Sequence, residues 1–148
     1  MKKKILSMAA AVLLVTNVYA QNFTAQQRRV LTEISSYVSK VGYSVEEKND
    51  MLKIKDDGAV YYLEMAKEET DPLFVRITRR LSFNSSFKKD VAKDHLAALS
   101  RKFGIKALLK ENEVVLVFDM FFSSSSQLKD CLSSVMKQFD VAYEQLTE

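Results

Sequence analysis

The chain has 148 residues, the length of a single domain, and 47% of them are hydrophobic, which is enough to build a buried core. It contains 22 Lys and Arg residues against 19 Asp and Glu residues, with one His and one Cys. A lone histidine excludes a His-based metal cluster, and a lone cysteine excludes an intrachain disulfide, so packing must stabilise the fold.

The first twenty residues have the pattern of a secretory signal. Lys2, Lys3 and Lys4 precede an apolar run over residues 5–15, and Val18-Tyr19-Ala20 provides a cleavage site. We expect residues 1–20 to be removed, leaving a single domain at 21–148 that is exported to the periplasm or secreted. An uncleaved anchor is the alternative, but the run is short for roughly 30 Å of hydrocarbon. Without its three lysines the chain is neutral, which predicts no binding to nucleic acid.

The pattern then alternates between helical and extended segments. Thr24 and Gln27 form a capping box that opens a helix to about Val41. The remaining segments, in order, are strands at 51–55 and 59–65, a polar loop at 66–72, a strand at 73–83, a helix capped by Asn84, Ser85 or Ser86, strands at 105–110 and 114–122, and a helix capped by Ser124. This order, α-β-β-β-α-β-β-α, predicts an α+β domain with one five-stranded, mainly antiparallel sheet packed against helices.

Two hairpin turns fix which side chains share a face. A two-residue turn at Asp57-Gly58 pairs Ile54 with Tyr61, and a turn at Glu111-Asn112 pairs Lys110 with Glu113. Period two then predicts a core face, covered by helices, made of Leu52, Ile54, Tyr61, Leu63, Leu73, Val75, Ile77, Leu81, Val114, Leu116, Phe118, Met120 and Phe122. Arg79 falls among them, so we expect it to reach an edge or pair with a carboxylate.

The other face of the sheet, here called the second face, mixes cations with large apolar side chains. Its charged members are Lys53, Lys55, Arg76, Arg80, Lys106, Lys110, Glu64, Glu113 and Asp119, and its apolar members are Val60, Tyr62, Phe74, Leu108, Val115, Val117 and Phe121. A solvated face does not need so many apolar residues. Either a helix or a second subunit covers part of it, or it binds an acidic amphipathic peptide or lipid, or it is simply exposed.

Residues of the second face are therefore the candidate partner-binding site. The set is Lys53, Tyr62, Phe74, Arg76, Arg80, Lys106, Leu108, Val115, Val117 and Phe121. The order of elements resembles the fold shared by type III secretion chaperones and YbjN-like proteins over nearly all of residues 21–148. That resemblance implies a non-catalytic binding or chaperone-like domain that is commonly dimeric.

Catalytic interpretations find little support in the residues. Gly42, Gly58 and Gly104 are all assigned to helix ends or a turn, which leaves no glycine for a phosphate-binding loop. A hydrolase function would require Cys131 as the nucleophile and His95 as its base. We therefore predict an exported, non-catalytic domain, without cofactor or metal, that binds a protein or peptide, possibly a second copy of itself. The alternative is a lipid or amphipathic small molecule held between sheet and helices; membrane contact is not indicated.

Overall fold

The computed structural model describes residues 23–147, apart from the side chains of residues 100–103. The predicted signal at 1–20 lies outside the described residues. The elements, in chain order, are α1 (Ala25–Lys40), β1 (Ser44–Lys48), β2 (Met51–Asp56), β3 (Ala59–Thr70), β4 (Leu73–Ser82), α2 (Lys89–Phe103), β5 (Lys106–Leu109), β6 (Glu113–Phe122) and α3 (Ser125–Thr147).

One antiparallel sheet carries six strands in the order β1-β2-β3-β4-β6-β5, so the prediction of five strands is wrong. The missing strand is β1, which pairs with β2 from Ser44 opposite Lys55 to Lys48 opposite Met51. Its sequence, SVEEK, has one apolar residue, because an outer strand needs little burial. The chain turns at Asn49 and Asp50, both with positive φ, as a two-residue hairpin requires.

The predicted polar loop at 66–72 is also largely a strand. β3 continues to Thr70, which pairs with Leu73 after a register irregularity that follows Met65, and only Asp71 and Pro72 form the turn. Beyond the body of the sheet, this hairpin end is solvent-exposed, and a strand there tolerates charged residues on both faces. The run of charged residues, which suggested a loop, is therefore explained by the solvent exposure of this end of the hairpin.

The helix boundaries follow the predicted caps in two cases out of three. Thr24 and Gln27 form both hydrogen bonds of the capping box, and the Gln127 amide donates to Ser124 Oγ at the start of α3. Before α2, however, the side chain of Asn84 accepts from the amides of Ser86 and Phe87, which builds a turn. The helix itself starts at Lys89 without a side-chain cap.

The helices pack on one face of the sheet, so the domain has two layers around one core. The hydrophobic cluster joins buried residues of all three helices to the predicted core face, whose members are buried except for the half-buried Phe118 and Met120. Neither Val115 nor Val117 belongs to that cluster. The predicted faces and the registers of both hairpins are confirmed, although β5 starts at Lys106 and leaves Ile105 out of the ladder.

Among residues 23–147, no helix combines the length and apolar character needed to cross a membrane.

Candidate functional site

The second face of the sheet is not covered by any helix in the part of the chain that the structure describes. The strand registers place the candidate partner-binding residues in rows across this face, and Tyr62, Thr78 and Val117 form one such row at its centre. Lys53 and Lys106 continue the same row on either side, and Glu46 of β1 lies opposite Lys53 at its end. Of the two coverings predicted for this face, a helix of the same chain is not found among the described residues, because the chain packs its helices against the core face. Cover by a second subunit stays a prediction.

Two carboxylates organise the cations of the second face. Asp119 accepts hydrogen bonds from Arg76 Nε at 2.7 Å and Arg76 Nη2 at 3.0 Å, and from Lys106 Nζ at 3.2 Å. The Arg76 hydrogen bond, with help from Lys106, lowers the pKa of the Asp119 carboxyl.

Glu113 lies 3.9 Å from Arg80 Nη1 and 3.5 Å from Lys110 Nζ, measured from its Oε1 atom. Of the six cations predicted for the second face, Lys53 and Lys55 alone make no ion pair with the described residues. The face therefore presents fixed ion pairs with a small positive surplus, rather than six independent positive charges.

The apolar residues of the second face divide into covered and exposed ones. Val115 and Val117 are buried, each 5% exposed, beneath the longer side chains that surround them. Leu108 and Phe121 are 52% and 55% exposed, which is more than any other large apolar residue among the described side chains. The Phe121 and Phe74 rings pack in an edge-to-face arrangement with centroids 5.1 Å apart. Leu108 and Phe121 are therefore the most exposed apolar members of the candidate site, beside the exposed side chains of Arg76, Arg80 and Lys106.

The remaining arginine of β4, Arg79, lies on the core face and has a different role. Arg79 is 8% exposed, donates from Nη1 to Asp140 of α3, and has its guanidinium 5.4 Å from the Tyr61 ring centroid and 4.8 Å from that of Tyr143. The Tyr61 hydroxyl also donates to Asp140. Burial, followed by this hydrogen bond, raises the pKa of Tyr61. The predicted pairing of Arg79 with a carboxylate is confirmed.

An open groove of about 670 Å³ lies beside this cluster, at the end of the sheet where the β2–β3 turn approaches α3. Its lining comprises Asp56, Asp57, Gly58, Ala59, Tyr61, Arg79, Asp140, Tyr143 and Glu144. Sequence reasoning missed this groove, because Arg79 and Asp140 are far apart in the chain and only the placement of α3 brings them together. No cluster of three or more metal-ligating side chains occurs within residues 23–147.

Cys131 and His95, the pair on which a hydrolase would depend, make no hydrogen bond to each other among those described. The Cys131 thiol is half-buried and donates to Met120 Sδ at 3.1 Å, while the His95 side chain is exposed on α2. Burial, with a smaller effect of Asp130, raises the pKa of the Cys131 thiol. A nucleophilic cysteine needs a lowered pKa, so this environment disfavours the thiolate.

We expect Cys131 to react slowly with a maleimide in the folded protein. At neutral pH the reaction should be at least about tenfold slower than in urea-unfolded protein, because the raised pKa and partial burial both reduce the accessible thiolate. Ellman-type or mass-spectrometric kinetics measure this directly. Equal rates in the two states would remove the structural role assigned to Cys131.

Comparison with solved structures shows the fold that this chain shares. An uncharacterized protein from Methanothermobacter thermautotrophicus aligns with a TM-score of 0.60 and 14% identity, covering 79% of this chain and 93% of that chain. YbjN from E. coli, described as a candidate transcription regulator, aligns with a TM-score of 0.54 and 15% identity, covering 76% and 87%. The YbjN-like resemblance at the level of topology is therefore confirmed. Neither protein-family models nor curated protein sequences give a match.

Proposed function

We propose that this chain is a non-catalytic binding domain that recognises a protein or peptide through the second face of its sheet. The observation that carries the proposal is the exposure of Leu108 and Phe121 on a face that none of the chain's described helices covers. Exposed large apolar side chains next to ion pairs are common in protein interfaces. Resemblance to YbjN, a candidate regulator, fits a small binding or regulatory domain.

The charges of the second face favour a polypeptide over nucleic acid. Arg76, Arg80, Lys106 and Lys110 all have carboxylate neighbours, so phosphate groups would compete with ion pairs that already exist. A modest positive surplus, with Lys53 and Lys55 unpaired among the described residues, suits an acidic segment of a protein. A second copy of the same chain is a weaker candidate, since two faces of the same sign would repel.

A lipid or amphipathic small molecule between sheet and helices remains the alternative. Fully buried side chains, including those of Tyr61, Phe122 and Phe139, occupy that space, so a ligand there would have to displace part of the core. The open groove beside Arg79 could admit a small molecule, but its walls are rich in carboxylates and suit few lipids. The groove supports this alternative less well than the second face supports a protein partner.

Export is part of the proposal and rests on residues 1–20 alone. A cleaved signal there would place the domain in the periplasm or outside the cell, where its partner must also be found. N-terminal sequencing of the mature protein should then begin at Gln21.

Native mass spectrometry of the protein isolated from its source at natural abundance tests the proposed function. We expect a non-covalent complex whose additional mass is a polypeptide that can be sequenced. A retained lipid mass would favour the alternative, and a chain that is always recovered alone would contradict binding of either kind.

A further inference from the structure

The end of the β3–β4 hairpin contains an irregularity that interrupts its ladder. Met65 of β3 lies opposite Val75 of β4, whereas the pair next to the turn joins Thr70 to Leu73. Residues 66–69 therefore lie between these two pairs on β3, while a single residue of β4 lies between them. In the part of the chain that the structure describes, none of residues 66–69 has a ladder partner on β2 or β4. This stretch, here called the bulge, is larger than a common β-bulge, in which the longer strand gains only an extra residue.

The side chain of Gln27 on α1 supplies hydrogen bonds that the bulge does not obtain from a neighbouring strand. Its Nε2 atom donates to the Ala66 carbonyl at 2.9 Å and also lies 3.3 Å from the Lys67 carbonyl and 3.4 Å from the Glu69 carbonyl. Its Oε1 atom accepts from the Thr24 amide at 2.8 Å. Carbonyls that face a fully buried amide have little access to water, so they depend on this donor.

A polar residue at this position of α1 indicates a specific requirement. Gln27 precedes Val30 and Leu31 by one helical turn on the buried stripe of α1, where an apolar residue would carry no group that needs a partner. Among the side chains that the structure describes, Arg79 is the only other polar one that is buried. The capping box explains the acceptor of Gln27, and a glutamate would serve there equally well. Only the bulge explains the donor.

The same sequence also fits a hairpin without the bulge. If the register that precedes the bulge continued, Ala66 would lie opposite Phe74 and Lys67 opposite Leu73, and residues 68–72 would form the connection. Connections of about five residues are common in hairpins. In that register, however, the buried glutamine would lose the bulge carbonyls as acceptors, which is unfavourable for a donor without access to water. The glutamine therefore favours the bulged register over the regular one.

The register determines what stands beside Phe74 on the second face. Phe74 lies opposite Phe121 on β6, and the two rings pack together, but no residue of β3 is paired with Phe74 on its other side. A depression of about 180 Å³ lies there, between β3 and β4, and is lined by Glu64, Met65, Ala66, Phe74 and Arg76. The regular register would bring the Ala66 side chain to roughly 5 Å from that of Phe74, measured between Cβ atoms, and would close this depression.

We propose that Gln27 is a latch that holds the hairpin end in the bulged register and thereby keeps the depression beside Phe74 open. The latch connects the helical layer, where Gln27 is buried, with the opposite side of the sheet, where the depression lies. This inference rests on the proposed function, which gives the shape of the second face its importance. Gln27 is a positioning residue, because it acts on that face only through the backbone of β3.

Exchange of side-chain amide protons, measured by NMR on ¹⁵N-labelled protein, tests the latch without any substitution. Gln26 is the internal control, because it has the same side chain one residue earlier and is exposed. The Nε2 protons of Gln27 should exchange with solvent at least about a hundredfold more slowly than those of Gln26, since they are buried and hydrogen-bonded. Equal rates for the two side chains would overturn the inference.

Gln27→Leu tests whether the donor selects the register, because leucine keeps a buried side chain of similar size. In the wild-type protein, cross-strand NOEs between backbone protons should join Thr70 to Leu73. In Gln27→Leu these NOEs should be lost, and new ones should join Ala66 to Phe74, as the regular register requires. The ladder nearer the centre of the sheet should be unchanged.

Two further variants separate the latch from the helix cap and from a general effect of substitution. Gln27→Glu keeps the acceptor for the Thr24 amide, as in the common capping box, but has no amide donor. It should change the register in the same way as Gln27→Leu. Gln26→Leu places the same leucine at an exposed position and should keep the wild-type pairing.

The register in the variants decides between the latch and a purely local cause. Bulged pairing that persists in both Gln27→Leu and Gln27→Glu would overturn the inference, since the hairpin itself would then fix the bulge. Loss of the bulged pairing without the regular one in its place would also overturn it. If neither variant folds, exchange of the Gln27 side chain in the wild-type protein decides. None of these measurements involves a partner, so their failure would leave the proposed function intact, and a failure to find a partner would leave the register result intact.

Discussion

Leu116→Glu should unfold the domain, whereas Val117→Glu, one residue later, should leave it folded. Leu116 is fully buried on the core face, so a carboxylate there has no solvent, and the cation opposite it on β4, Arg79, is already paired with Asp140. We expect a loss of more than about 4 kcal/mol in the free energy of unfolding, a large part of the 5–15 kcal/mol that stabilises a typical domain. Circular dichroism during urea denaturation measures both variants against the wild-type protein.

Val117 differs because it lies outside the core. It is 5% exposed and stands opposite Lys106 on the uncovered face, so a glutamate can turn outwards into solvent and reach that ammonium group. A cost of about 1–2 kcal/mol is expected for the lost burial of the valine. If Val117→Glu unfolded the chain while Leu116→Glu were tolerated, the assignment of the two faces would be inverted.

Asp140→Ala should destabilise the domain by about 2–3 kcal/mol, because it leaves the buried guanidinium of Arg79 without its carboxylate. Fully buried pairs lose more when one partner is removed, but the Asp140 side chain is 46% exposed, so water can partly replace it. The Tyr61 hydroxyl loses its acceptor in the same variant. Thermal and urea unfolding measure the effect.

Glu144→Ala is the matched control, since Glu144 lines the same groove but is exposed. Its removal should change the stability by no more than about 0.5 kcal/mol. Equal effects of the two variants would mean that the Asp140 ion pair contributes nothing beyond a general surface charge.

Turn chemistry explains how much of the sheet could be predicted from the sequence. A two-residue turn at Asp57-Gly58 sets the register of the flanking strands, and the predicted pair of Ile54 with Tyr61 occurs in the structure. The alternation of side chains along each predicted strand then assigned its residues to one face of the sheet or the other. It also identified Arg79 as a charged exception on the core face. Its partner, Asp140, could not be predicted because nothing local fixes where α3 crosses the sheet.

The strand β1 was missed for a different physical reason. An outer strand on a two-layer sheet buries little, so Ser44–Lys48 carries no hydrophobic alternation. The turn at Asn49 and Asp50 was the available signal, because both residues adopt positive φ more readily than most others. The start of β5 was likewise predicted one residue early, at Ile105 instead of Lys106.

The dissociation constant of the polypeptide that copurifies with the protein tests the central claim most directly. Isothermal titration should compare wild type with Leu108→Ser on the second face and Val91→Ser on the helical side. Both residues are exposed aliphatic side chains, at 52% and 39%, so the two substitutions match in chemistry and differ in location. We predict at least about tenfold weaker binding for Leu108→Ser, and an unchanged constant for Val91→Ser. Weaker binding by Val91→Ser with an unaffected Leu108→Ser would contradict the claim that the second face binds the partner.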